Sequence, residues 1–257
     1  MNDITSTSFR LDLPPWPVVD FAEFGEVEIM PLSRIQALTA GYLSRNSVAI
    51  PHVTHHDELD ITELEALRKR LGSEFGTKLT LLPFVAKAVA MLLVKFPKFN
   101  ASLDATGRNL VLKKYFHIGV AIDTPAGLLV AVLRDCERKS ISQLADELTA
   151  ISAKAKAKGL AMKEMVGGCM TISSLGHIGG TAFTPIVNAP EVAILGVTRA
   201  QWKPRRSDDG AIEWRLMLPV SLSYDHRVIN GADAARFCLG LGSELLRLGT
   251  QDEVGAR

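Results

Sequence analysis

The sequence predicts a mixed α/β domain, and three observations carry that reading. Helical and alternating apolar spacings both occur, strands and helices follow no strict alternation, and no internal repeat is present. A length of 257 residues at 47% hydrophobic composition is enough to fill one sizeable core, which excludes disorder as the main state. With 29 Lys+Arg against 28 Asp+Glu the net charge is +1, so no global field of either sign recruits nucleic acid or an anionic membrane.

The elements follow in order. Residues 1–25 carry Pro14, Pro15 and Pro17 and few periodic apolar positions, which reads as an extended arm. Leu32, Ile35, Leu38 and Tyr42 then fall at helical spacing as far as Asn46, and alternation after Pro51 predicts a strand to Leu59. Asp60 followed by Glu63 resembles a capping box opening a second helix. Thr80 is expected to cap a third, ending at Phe96. Residues 79–96 are the most apolar stretch, yet Pro83, Lys87 and Lys95 interrupt them, and a bilayer crossing needs about 20 unbroken apolar residues. They predict a buried helix.

Three β-rich runs at 109–113, 116–123 and 128–133 are separated by the turn signals ATGR and TPAG. Ser140 opens a helix of about twenty residues whose KAKAK end is polar. Strands are expected at 169–174, 192–198 and 214–224, and a last helix at 231–248. The domain plan is an arm at 1–25, a body at 26–249 and a polar tail at 250–257.

Two constellations could carry chemistry. In Ser221-Leu-Ser-Tyr-Asp-His-Arg-Val-Ile-Asn-Gly-Ala-Asp233 a β-type run ends at His226 just before a helix. Imidazole titrates close to neutrality, so at such a junction its neutral form can take a proton from a thiol or hydroxyl. On spacing alone a hydrogen-bonded corner residue is the better fit. In Thr171-Ile-Ser-Ser-Leu-Gly-His-Ile-Gly-Gly180 a strand presents Ser173 and Ser174 ahead of a glycine turn, and a hydroxyl there can donate to a developing oxyanion. No G-x-S-x-G elbow makes either serine a nucleophile. A polar strand end before a turn is the plainer alternative.

Other features point to less. His52, His55 and His56 resemble a metal cluster, but on a strand His55 faces away from the other two and no nearby cysteine completes a tetrahedral set; no metal is expected. Lys154, Lys156 and Lys158 read as a solvated helix end, and the G-x-x-G-G run matches no phosphate-loop fingerprint. Cys136, Cys169 and Cys238 are odd in number and widely spaced, unlike a disulfide framework. The N-terminus lacks a basic region followed by an apolar one. A cytoplasmic location is expected.

Four long blocks are familiar together: RNSVAIPHVTHHDELDITELEALR, FHIGVAIDTPAGLLVAVLRD, TISSLGHIGGTAFTPIVNAPEVAILGV and LSYDHRVINGADAARF. From about Val18 to about Leu246 the chain resembles the catalytic domain of the dihydrolipoamide acyltransferase component of 2-oxoacid dehydrogenase complexes, the pyruvate-type branch most of all. The resemblance implies the coenzyme A-dependent acyltransferase two-layer sandwich, a mixed sheet with helices packed on one side, as in chloramphenicol acetyltransferase. It implies transfer of an acyl group, expected to be acetyl, between a dihydrolipoyl thiol and coenzyme A. The family's histidine general base falls on His226 and its oxyanion-stabilising serine on Ser173. Asn230 stands where the family often has Asp and is expected to support the site by hydrogen bonding rather than as an ion pair. Leu195 falls at the family's apolar gate between the coenzyme A and lipoyl openings, and Asp123 near the coenzyme channel.

The resemblance also implies a homotrimer, the histidine of one subunit facing the serine of its neighbour, and contact with other 2-oxoacid dehydrogenase components or a lipoyl-bearing protein. Coenzyme A or acetyl-coenzyme A is the expected substrate. No lipoyl or subunit-binding domain precedes the catalytic blocks, so the lipoyl group is expected in trans. Family cores end in an apolar segment that docks trimers into larger shells. This chain ends LGTQDEVGAR, whose charges are costly to bury without partners, so an isolated trimer is expected. Two other readings stand beside the enzyme: a non-catalytic trimeric assembly core, which intact His226 and Ser173 disfavour, and an O- or N-acetyltransferase of small acceptors.

Overall fold

The computed structural model describes residues 14–74, 79–207 and 209–250. Residues 14–33 are exposed and extended apart from one 3-10 turn at Phe21–Glu23. Helix α1 (Arg34–Ala49) opens on a full capping box, with Ser33 and Gln36 each satisfying the other's backbone N–H. Among its residues only Asn46 is buried.

Strand β1 (His52–Asp60) leads to α2 (Thr62–Glu74). Asp60 does accept from the Thr62 N–H at 2.9 Å, but Glu63 instead faces Arg215, so the expected box is a one-sided cap. Helix α3 (Leu82–Lys95) starts later than Thr80 predicts: Leu81 takes the cap position with no side-chain bond, and Pro83 sits in the first turn, where a missing N–H costs nothing. Lys87 interrupts this apolar helix because its ammonium donates to the carbonyls of Glu137 and Lys139 at 2.7 and 2.9 Å, tying α3 to the following helix's entry.

A small ribbon of β2 (Ala101–Leu103) and β3 (Leu110–Leu112) stands apart from the main sheet. Strands β4 (Ile118–Thr124) and β5 (Gly127–Leu133) form a hairpin, and α4 (Ile141–Lys158) starts on a Ser140/Gln143 capping box. Then come β6 (Met170–Ser174), β7 (Ala193–Val197), β8 (Gln201–Arg206), β9 (Ile212–Asp225) and α5 (Gly231–Thr250). The expectation had no β8. Its Pro204 is tolerated because β8 pairs only with β9, as an edge strand.

The main sheet runs β1-β9-β7-β6-β4-β5, with β8 added on β9. It is mixed, since β4/β6 and β6/β7 are parallel and the other pairs antiparallel. One face carries Ile172, Leu195 and Leu222 into a core shared with α2 to α5, where α3 is nearly enclosed. This is the expected two-layer plan with helices on one side. The tail from 251 onward lies outside the described residues.

Candidate active site

Strand β9 ends at Asp225, which is 2% exposed. Its carboxylate accepts from the Arg227 backbone N–H at 3.0 Å, from Nε at 2.9 Å and from Nη2 at 2.6 Å. Its carbonyl accepts from the N–H groups of Val228 and Ile229, and its own N–H donates to the Val192 carbonyl. The peptide of His226 therefore hangs between two fixed neighbours, and its N–H donates to the Pro51 carbonyl at 3.1 Å. The ring itself is exposed and makes no hydrogen bond among the described residues; Tyr224 is the aromatic beside it, with centroids 6.0 Å apart. A rigid backbone thus presents a free imidazole.

Asn230 does something the sequence reading did not give it. Its Oδ1 accepts from the Asp233 N–H at 2.8 Å, capping α5. Within the chain it makes no bond to His226.

Ser173 pairs with Gly196, and Gly196 with Ser221. These three share the face away from the helices, because Ile172, Leu195 and Leu222 alternate with them. Segment 181–190 crosses that face. Phe183 lies so close to Gly196 that a Cβ there would meet its ring at 2.7 Å, and the Ser221 Oγ stands 2.9 Å from His56 Nδ1. The Ser173 hydroxyl is half-buried and makes no hydrogen bond among the described residues. His226 lies five positions past Ser221, on the order of 15 Å further along the strand axis. One chain does not bring Ser173 and His226 together.

Ser174, one residue on, points to the other face. There it lines a cleft of about 820 Å³ between the sheet and α2, α3 and α4, in the usual size range of small-molecule sites. Asp123, Gly176 and His177 stand near Ser174 at the strand ends, the floor is apolar, and Arg68, Lys69, Lys156, Arg199 and Trp202 complete the wall. Asp123 thus lines a cavity. The wall residues were missed because they come from separate elements; only Lys156 belonged to a run the sequence singled out, and it read as solvated.

Leu195 is fully buried in the core, so within one chain it lines no opening. His52 and His56 are engaged with protein groups: His52 Nε2 accepts from the Val187 N–H at 2.9 Å while Nδ1 meets the Ile50 carbonyl at 2.8 Å. Cys136, Cys169 and Cys238 are buried free thiols, and burial pushes Cys136 and Cys238 up to about 12. None is poised to react. Glu191 is a different kind of buried group. Its Oε1 accepts from the Thr171 hydroxyl at 3.0 Å, two residues before Ser173, and burial pushes its carboxyl up to about 7.

Residues 24–247 match the family of 2-oxoacid dehydrogenases acyltransferase (catalytic domain). The chain is 54% identical over 241 residues to the dihydrolipoyllysine-residue acetyltransferase component of the pyruvate dehydrogenase complex of Pseudomonas aeruginosa, covering 93% of this chain but 44% of that protein. The chain therefore spans less than half of that relative. A solved structure of the Azotobacter vinelandii dihydrolipoamide acetyltransferase superposes with a TM-score of 0.88 at 53% identity, covering 93% of this chain and all of the other. That work concerned one serine, one histidine and one asparagine in the catalytic mechanism. Chloramphenicol acetyltransferase, at 14% identity and a TM-score of 0.54 over 80% of this chain and 94% of its own, shares the fold.

Proposed function

The chain belongs to the family of 2-oxoacid dehydrogenase acyltransferase catalytic domains, and on that premise we propose that it moves an acetyl group between a dihydrolipoyl thiol and coenzyme A. The observation that carries this is the free His226 imidazole on a rigid corner, in a chain whose free Ser173 hydroxyl is out of its reach. Two neighbouring subunits complete such a site. The neutral imidazole removes the coenzyme A thiol proton as the sulfur attacks the thioester carbonyl. The negative oxygen of the tetrahedral intermediate accepts from Ser173 of the adjoining subunit, an interaction whose loss typically costs about 2.7–4 kcal/mol. Collapse expels the dihydrolipoyl sulfur, which takes the proton back from His226. Bonds and protons balance without a covalent enzyme intermediate.

The cleft beside Ser174 and Asp123 takes coenzyme A. A homotrimer is supported by the apolar arm and α1, where Trp16 and Ile29 are each 90% exposed and Phe24, Leu38 and Tyr42 are also open. So many large apolar side chains left open on one segment favour an interface. The expectation of an isolated trimer falls on a tail outside the described residues. A cytoplasmic location belongs to the same proposal and is favoured by the three free thiols. Assaying acetyl transfer from acetyl-coenzyme A to dihydrolipoamide, with His226→Ala as control, tests the reading. Parent activity should exceed the variant's by about 10²–10⁴-fold; equal rates would overturn it.

A further inference from the structure

We propose that Trp202 is the stacking platform for the adenine ring of coenzyme A and that Lys156 holds one of its phosphates, an inference that rests on the coenzyme A reading of the cleft. Trp202 lies cross-strand from Leu216, and both line the cleft. Its side chain is nevertheless 55% exposed, a large aromatic left open at a cavity wall. Purine rings bind such faces by stacking, whatever the sequence around them.

The charges around the cleft narrow the ligand. Arg68 is held by Glu65 at 2.7 Å, and Lys69 lies 3.6 Å from the same carboxylate. Arg199 donates to the carbonyls of Gly176, His177 and Ile178. Lys156 makes no ion pair or hydrogen bond among the described residues, which leaves it open to an anion.

The register then sets the ligand's length. Trp202 pairs with Leu216 and Val197 with Val220, four positions further along β9. Ser174 stands beside Val197. The indole is therefore on the order of 13 Å along the sheet from the serine end. Trp202 and Lys156 line the same cleft, so the molecule that fits carries an aromatic base, a phosphate and an extended, uncharged arm reaching the strand ends. A nucleotide thiol such as coenzyme A has that layout, and pantetheine alone lacks the base and the phosphates.

The test titrates the full chain with coenzyme A and separately with pantetheine, by calorimetry and tryptophan fluorescence. Coenzyme A should quench the parent's fluorescence. Trp202→Ala should remove most of that quench and weaken coenzyme A by about tenfold while leaving pantetheine unchanged, and Trp202→Phe should recover most of the affinity. Lys156→Gln should flatten the salt dependence of coenzyme A binding alone. Undiminished coenzyme A affinity in Trp202→Ala, or an equal loss for both ligands, would overturn the platform. If the parent binds neither ligand, the assignment of the cleft to coenzyme A fails first.

Discussion

Ser173 stands level with Ser221 across the sheet, and His226 lies beyond it, so the two candidate catalytic groups of one chain are separated by far more than a hydrogen bond. If they act together, they do so from different subunits. Mixing His226→Ala with Ser173→Ala chains should therefore restore activity that neither variant has, because some interfaces then join an intact histidine to an intact serine. Random mixing around a cyclic trimer should return about a quarter of the parental rate. Co-expression with two affinity tags and an acetyl-transfer assay measures it. No recovery would point to a site built within one chain.

The two adjacent serines separate the chemistry from the cleft. Ser173→Ala should lower kcat by about 10²–10³-fold with little change in KM, the pattern of a donor that acts only on the developing oxyanion. Ser174→Ala removes a hydroxyl from the cleft wall and should change kcat by less than about tenfold. Steady-state kinetics of the two variants decide it, and a reversed order would move the oxyanion role to Ser174.

The clamp between Asp225 and Arg227 should matter for rate as well as for folding. Asp225→Asn keeps the shape but removes the charge from a bidentate pair, which is expected to cost about 1–2 kcal/mol of stability, discounted for the half-exposed arginine. The loosened turn should also lower kcat at unchanged KM. Arg227→Lys should sit between the two, since an ammonium cannot make the fork. A urea midpoint that falls while kcat holds would make the pair purely structural.

Much of this architecture was legible from local rules. Ser140 announces α4 because a hydroxyl N-cap is a short-range device, and the alternation after Pro51 gives β1 almost to the residue. What failed depends on tertiary partners. Strand β8 is hidden by Pro204, which only an edge position tolerates, and β2 is three residues long. Thr80 is outcompeted as a cap by the geometry that Pro83 imposes. At the site, His226 and Ser173 stand out because each lies in a dense motif. Their separation within one chain follows from strand register, which no local pattern encodes. Trp202, Lys69 and Lys156 gather in one cleft only after β8, α2 and α4 have packed.

Glu191 gives the molecule a pH dependence of known sign. Its folded carboxyl is pushed up to about 7 from an ordinary 4.5 because burial disfavours the charged form more than the Thr171 hydroxyl and Lys113 favour it. The folded state therefore holds a proton between those values that the unfolded chain has released. Stability from this group is complete below about 4.5, declines as pH rises, and is lost once pH passes about 7. Over that window the decline is on the order of 2–3 kcal/mol. Glu191→Gln keeps the bond to Thr171 without an ionisable proton, so it should flatten the fall and be more stable than the parent at pH 8. Urea unfolding at pH 5, 6, 7 and 8 reads both curves. Parallel curves would mean that Glu191 is charged in the folded chain.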